Sequence, residues 1–126
     1  VESGVAAPLG NYYYPGSPYE GYGDNASWLK RVLSDWSDST ITWNNKPATT
    51  DEDRTAVPAS TARWNFNAVG LDVTAMVKEM VKGGKNFGFC LELQNEEIYR
   101  SILFGSSEHK NSEKRPKLEV EYSVSH

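Results

Sequence analysis

The sequence has few of the side chains that most often carry chemistry. Its 126 residues include one cysteine and two histidines. The single Cys90 cannot form an internal disulfide, and its position in an apolar run predicts a buried, unreactive thiol. The longest apolar stretches span only a few residues, too short for a membrane-spanning helix. These shortages argue against a disulfide scaffold and against membrane insertion.

Catalysis and nucleic-acid binding are also poorly supported. The formal net charge is −4 and the pI is about 5.2, whereas general nucleic-acid binding needs a basic face. His126 is the last residue, and His109 lies in a polar segment typical of a solvated turn. Neither Ser106 nor Ser107 stands in a nucleophile-elbow motif that could serve His109. We therefore expect no enzyme activity and no nucleic-acid partner.

The chain is long enough for one domain, and we treat residues 1–126 as a single unit. Residues 11–25 mix aromatic side chains with proline and glycine, which predicts a long irregular loop. Tyrosine rings can stack on sugar rings and add a hydroxyl for hydrogen bonding. The candidate ligand contacts in this loop are Tyr12, Tyr13, Tyr14, Tyr19 and Tyr22. The alternative is that these rings fold back over the domain and complete its core.

Alternating apolar and polar residues predict several short strands. The predicted strands are residues 27–33, 40–43, 63–69, 87–93, 100–105 and 117–124. We expect residues 46–62 to be mainly loop. The sequence also predicts a single amphipathic helix, whose N-terminus is capped by Asp72 or Thr74 and which ends at Gly83-Gly84. This order of elements predicts an all-β fold, an antiparallel jelly-roll β-sandwich with one short helix.

Four runs in order carry a family resemblance. They are Asp35–Pro47, Leu71–Val77, Asn86–Phe89, and Phe104–Glu108 followed by Arg115–Val120. Together they resemble the extracellular bacterial β-sandwich domain known as DNRLRE, whose relatives include an alginate-binding carbohydrate module. The resemblance runs from about Asn25 to Tyr122.

The resemblance implies a function and a localisation. It points to a non-catalytic carbohydrate-binding or adhesion module of a larger secreted or cell-surface bacterial protein, with a polysaccharide as its partner. Members of this family carry additional strands before the point where this chain begins. We therefore expect a sandwich completed by a partner chain or by self-association. The alternative function is a structural spacer or assembly subunit that binds no sugar.

Three further side chains are candidate ligand contacts: Trp64, Arg54 and Arg63. A guanidinium can hold the carboxylate of an acidic glycan with two hydrogen bonds, although the basic residues are scattered along the sequence. The remaining tryptophans are assigned differently. The family positions of Trp36 and Trp43 imply that both lie in the core.

Acidic side chains offer a weak metal site. Oxygen ligands from Asp51, Asp53 or Asp24 could hold Ca²⁺, but their spacing is not that of an EF-hand loop. A solvated acidic turn is the competing interpretation, and no other cofactor is expected.

Overall fold

A computed structural model describes residues 10–11, 25–61, 67–96, 100–102 and 104–125, with only the backbone given for Gly10, Asn11 and Ser101. The strands are β1 (Gly10–Asn11), β2 (Ser27–Val32), β3 (Thr49–Val57), β4 (Phe89–Leu93) and β5 (Arg100–Ser101). One α-helix, α1, spans Thr74–Gly83, and short 3₁₀ helices occupy Trp43–Asn45 and Ser112–Lys114.

Two antiparallel sheets contain these strands. The larger has the order β3-β2-β4, and the smaller pairs β1 with β5. Leu29 lies opposite Leu91 on β4 and Thr55 on β3, which places these side chains on one face of the larger sheet. Trp28 and Lys30 alternate with Leu29 and therefore lie on the other face.

The sheet face that carries Leu29 forms the core. Leu29, Val57, Ala68 and Met76 form its buried cluster, and partly buried apolar side chains pack around it. These neighbours are Leu71, Val73, Phe89, Ile102 and Phe104. Met76 from helix α1 thus packs in the same core layer as Leu29 and Val57 from the sheet. Burial of apolar surface between helix and sheet holds the two together, since a helix of this length is marginal alone.

The predicted helix is confirmed, including both of its ends. The Asp72 carboxylate accepts a hydrogen bond from the Thr74 backbone N–H over 3.0 Å, which satisfies one donor of the first turn. Gly84 follows the last helical residue with φ 64°, a left-handed conformation that glycine adopts without steric cost. The N–H of Lys85 then bonds to the Met80 carbonyl at 3.2 Å and closes the end.

Three strand assignments differ from the sequence interpretation. Residues 40–43 form no strand, because the chain turns and enters a 3₁₀ helix at Trp43. The segment 46–62, expected to be loop, contains β3, the longest strand described. Residues 117–124 alternate as a strand should, yet they pair with no described strand. Alternation shows only that one face is apolar, whereas a strand also needs a neighbour to receive its hydrogen bonds.

The fold class is confirmed in its coarser form. The described structure is mainly antiparallel sheet with one helix, while a closed jelly roll remains a prediction. The predicted strand 63–69 falls largely on residues outside the described ranges. No helix in the described part of the chain is both long and apolar enough to cross a membrane.

Candidate functional site

The loop of residues 33–48, between β2 and β3, carries two exposed tryptophans. Its ends are tied together, since the Leu33 N–H donates to the Ala48 carbonyl at 2.8 Å. The Ala48 N–H in turn donates to Ser34 Oγ at 3.0 Å. These bonds hold the loop as an extension of the β2-β3 hairpin, so that its tip has a defined position relative to the sheet.

The Asn45 side chain organises the tip of this loop. Its Oδ1 accepts hydrogen bonds from the backbone N–H and the hydroxyl of Thr42, the latter at 3.0 Å. Its Nδ2 donates to the Thr40 carbonyl at 2.9 Å. One short side chain thus connects three points of the turn and fixes the backbone that presents Trp43.

Trp36 links the loop to the chain just before β4. Its indole Nε1–H donates to the Phe87 carbonyl at 2.7 Å, and its backbone N–H donates to Asp35 Oδ1 at 3.0 Å. The residue nevertheless remains 44% exposed. The ring is therefore anchored by its polar edge while part of its apolar surface faces solvent.

Trp43 is the more exposed of the two, at 73%. Lys46 Nζ lies 3.8 Å from the centroid of its ring, a cation–π contact. A large aromatic surface held in water with a defined partner costs hydrophobic free energy, and such surfaces often mark binding sites.

Both tryptophans line one groove of about 670 Å³, which we call the Trp36–Trp43 groove. Consecutive residues of β4, the last strand of the described sheet, line it together with the loop. The lining comprises Val32, Trp36, Ile41, Trp43, Lys46, Pro47, Thr49, Phe89, Cys90, Leu91, Glu92, Leu93, Glu96 and Arg100. Aromatic and aliphatic walls with a few charged groups are typical of ligand sites.

A chain of ion pairs lies beside the groove, on the sheet face that carries Cys90 and Glu92. Lys30 Nζ pairs with the Glu92 carboxylate and lies 2.7 Å from Asp51 Oδ1. Asp51 also accepts from Arg54 Nη1 at 3.4 Å. Hydrogen bonding to Asp51 and then to Glu92 raises the pKa of Lys30, and the bond from Lys30 lowers the pKa of Asp51. These opposite shifts keep both groups charged over a wide pH range.

Replacing Asp51 by asparagine should make stability less sensitive to acid. Because the pKa of Asp51 is lowered in the folded state, the unfolded chain takes up this proton first as the pH falls. The pair therefore stabilises the fold above about pH 4 and loses its effect as the pH drops through the folded pKa. Thermal unfolding from about pH 2 to pH 6 should show a smaller fall in Tm for Asp51→Asn than for the wild type. Parallel curves would contradict this.

Only some of the predicted site residues lie within the described ranges. Those outside the described ranges are Tyr12, Tyr13, Tyr14, Tyr19, Tyr22, Asp24, Arg63 and Trp64. Arg54 is described and lies over Trp28, on the sheet face opposite the core. Asp51 is already paired with two cations, and among the described residues no group of three or more His, Cys, Asp or Glu side chains is placed to hold a metal ion. Cys90 is half-buried, and burial raises the pKa of its thiol.

The placement of Trp36 and Trp43 in the core was wrong, since both are exposed. The sequence did contain a signal for exposure. Serine and aspartate surround Trp36, and an Asn-Asn-Lys-Pro turn follows Trp43. Such polar turn residues are typical of loops at the surface.

Comparisons with known proteins place the chain among sugar-binding modules. The model of carbohydrate-binding module family 96 matches residues 17–122. The sequence resemblance is thereby confirmed in kind, and the DNRLRE name remains a prediction. No solved structure shows significant similarity to the chain.

The curated relatives include the tRNA nuclease WapA of Bacillus subtilis and the tRNA3(Ser)-specific nuclease WapA of Bacillus spizizenii. A further one is the tRNA(Glu)-specific nuclease WapA of Bacillus subtilis subsp. natto. Each is 35% identical over 106 residues, which cover 82% of this chain. The chain spans only 4% of the length of these relatives.

Proposed function

The chain belongs to carbohydrate-binding module family 96, and from that premise we propose that it binds a polysaccharide in the Trp36–Trp43 groove without catalysing a reaction. The observation that carries this assignment is the pair of exposed indole rings on one groove. Aromatic faces offer sugar rings an apolar surface on which their C–H faces can stack.

Polar groups at the groove complement this stacking. Lys46 and Arg100 supply hydrogen-bond donors, while Glu92 and Glu96 supply acceptors for sugar hydroxyls. The lining thus carries two cations and two carboxylates. This balance suits a glycan rich in hydroxyl groups, and we propose that the ligand is either a neutral glycan or one with scattered acidic groups.

We do not propose for this chain the nuclease activity that the names of the relatives describe. The shared stretch is 4% of each relative, and a carbohydrate-binding family model matches residues 17–122 of this chain. In the described part of the chain, His109 Nδ1 lies 3.1 Å from the Asn111 backbone nitrogen, so the ring serves a local turn. We propose that the chain is a targeting module of a longer, exported bacterial protein, acting outside the cell where polysaccharides are exposed.

A polysaccharide screen tests this function. The purified chain is applied to an array that carries neutral and acidic polysaccharides, among them cellulose, xylan, pectin and alginate. We expect concentration-dependent binding to at least one of them, abolished by an excess of the same soluble polysaccharide. Absence of binding to every polysaccharide would overturn the proposal.

An assembly role is the second candidate, and a specific observation favours it. Leu118, Val120, Tyr122 and Val124 alternate along an extended segment and are each at least half exposed. This segment pairs with no strand among the described residues, and an extended segment with one apolar side is a surface to which a partner strand can add.

Native mass spectrometry tests the assembly role. If this segment recruits a second copy, the chain should be a dimer at micromolar concentration. Replacing Val120 by lysine should then return the 14.1 kDa monomer. A monomer at every concentration would argue against self-association. The Val120→Lys chain should bind polysaccharide as the wild type does, because Val120 does not line the groove.

A further inference from the structure

The sheet face that carries Trp28 and Lys30, which we call the outer face, also carries part of the lining of the Trp36–Trp43 groove. Glu92 and Cys90 on β4 line the groove, and on β2 they pair with Trp28 and Lys30 respectively. Paired residues of antiparallel strands lie side by side on the same face. Trp28 is therefore one strand away from the groove lining, and neighbouring strands are about 4.8 Å apart.

An irregularity in β3 adds a further group to this face. Between Leu29 and Arg31 of β2, the pairing on β3 jumps from Thr55 to Thr50, so four residues of β3 are looped out. Asp53 in this bulge has φ 58°, which turns the chain sharply. Bulges re-aim side chains. Here the bulge brings Arg54 back over the sheet, with its guanidinium carbon 3.7 Å from the centroid of the Trp28 ring.

The orientation of Arg54 is fixed from two sides. Trp28 supports the guanidinium plane from below, and Asp51, itself tied to Lys30, holds its Nη1 at 3.4 Å. The side chain remains 36% exposed. A guanidinium has five N–H donors, so a flat, partly exposed one that is held in place can donate to vicinal hydroxyls or to a carboxylate.

We infer that the Arg54–Trp28 stack is a second subsite for the same polysaccharide, and that the protein recognises the interior of an extended glycan chain rather than a terminal sugar. This inference rests on the proposed function, because the first subsite is the Trp36–Trp43 groove. A glycan leaving the groove at Glu92 passes over β2 and reaches Arg54 on β3. A hexasaccharide can occupy the groove and the stack at the same time, whereas a disaccharide has only two rings to divide between them.

Ligand length separates this inference from a purely structural role of Arg54. Binding of disaccharides and hexasaccharides of cellulose, xylan and alginate is measured by isothermal titration calorimetry. The wild type should bind at least one hexasaccharide about tenfold more tightly than its disaccharide. Arg54→Met keeps an apolar cover on Trp28 but removes the donors, so it should lose most of this preference, about tenfold for a charge-assisted contact.

Two controls complete the experiment. Lys82→Met removes an exposed cation on helix α1, away from this face, and should retain the preference for the hexasaccharide. The thermal unfolding of Arg54→Met shows whether the stack matters only for stability.

A folded Arg54→Met protein that keeps the wild-type preference for the hexasaccharide would overturn the second subsite. If Trp43→Ala left the binding of both lengths unchanged, the groove itself, and thus the proposed function, would be overturned instead.

Discussion

A Trp43→Ala protein should bind its polysaccharide at least about tenfold more weakly than the wild type while remaining as stable. Trp43 is 73% exposed, so little packing is lost on truncation. Its stacking surface, by contrast, disappears from the groove. Truncation of an aromatic anchor at a binding site costs about 2 kcal/mol or more, and about 1.4 kcal/mol already corresponds to a tenfold loss of affinity. Affinity gel electrophoresis with a polysaccharide selected on the array measures the change.

Two variants control this result. Tyr122→Ala removes a ring that is 83% exposed but does not line the groove, and it should bind as the wild type does. Trp43→Phe keeps an aromatic face and should recover part of the affinity. Wild-type binding by Trp43→Ala, or an equal loss in Tyr122→Ala, would show that the sugar is held elsewhere.

Met76→Ala should lower the free energy of unfolding by about 2–5 kcal/mol, a large fraction of the stability of a domain of this size. Met76 is fully buried between helix α1 and the sheet, in contact with the cluster that contains Leu29 and Val57. Removing its side chain leaves a cavity that the surrounding backbone can fill only in part. Urea unfolding followed by tryptophan fluorescence measures the shift.

The matched control lies on the same helix. Val81→Ala truncates a side chain that is 77% exposed, and its effect should stay within about 0.5 kcal/mol. If both variants lost the same stability, helix α1 would not pack as described. At a temperature where Met76→Ala is folded, its polysaccharide affinity should match that of the wild type, because Met76 does not line the groove.

The parts of the fold that were predictable are those specified locally. Helix α1 has an apolar stripe, an acidic residue before its first turn and glycines at its end, and all three signals lie within about a dozen residues. Strand β2 alternates clearly and was found within one residue of its observed end. The position of each of these two elements could therefore be predicted from its own sequence, although both are stabilised by packing and pairing.

Strand β3 and the site depend on contacts between distant residues. The Asp51-Glu52-Asp53-Arg54 run looks like a turn, and within β3 it is one, a bulge inserted into a strand whose ends pair with β2. Sequence periodicity breaks at such a bulge, so the strand was missed. The same bulge places Arg54 on Trp28, a contact that no spacing rule could have indicated.

The two tryptophans of the loop show a different kind of error, in which exposed residues are predicted to be buried. The family positions of Trp36 and Trp43 imply a place in the core, and large aromatic residues are on average well buried. What exposes them is the closure of the loop by Ser34, Asn45 and the Phe87 carbonyl. These contacts join residues up to 51 positions apart, which a local pattern does not record.

The central claim is that sugar rings lie against Trp36 and Trp43. The chain has four tryptophans, so its ¹H–¹⁵N spectrum should contain four indole N–H signals, assignable by single replacements. On titration with a polysaccharide selected on the array, we expect the Trp36 and Trp43 signals to move with a common dissociation constant. Saturable binding that leaves both signals in place would contradict the account.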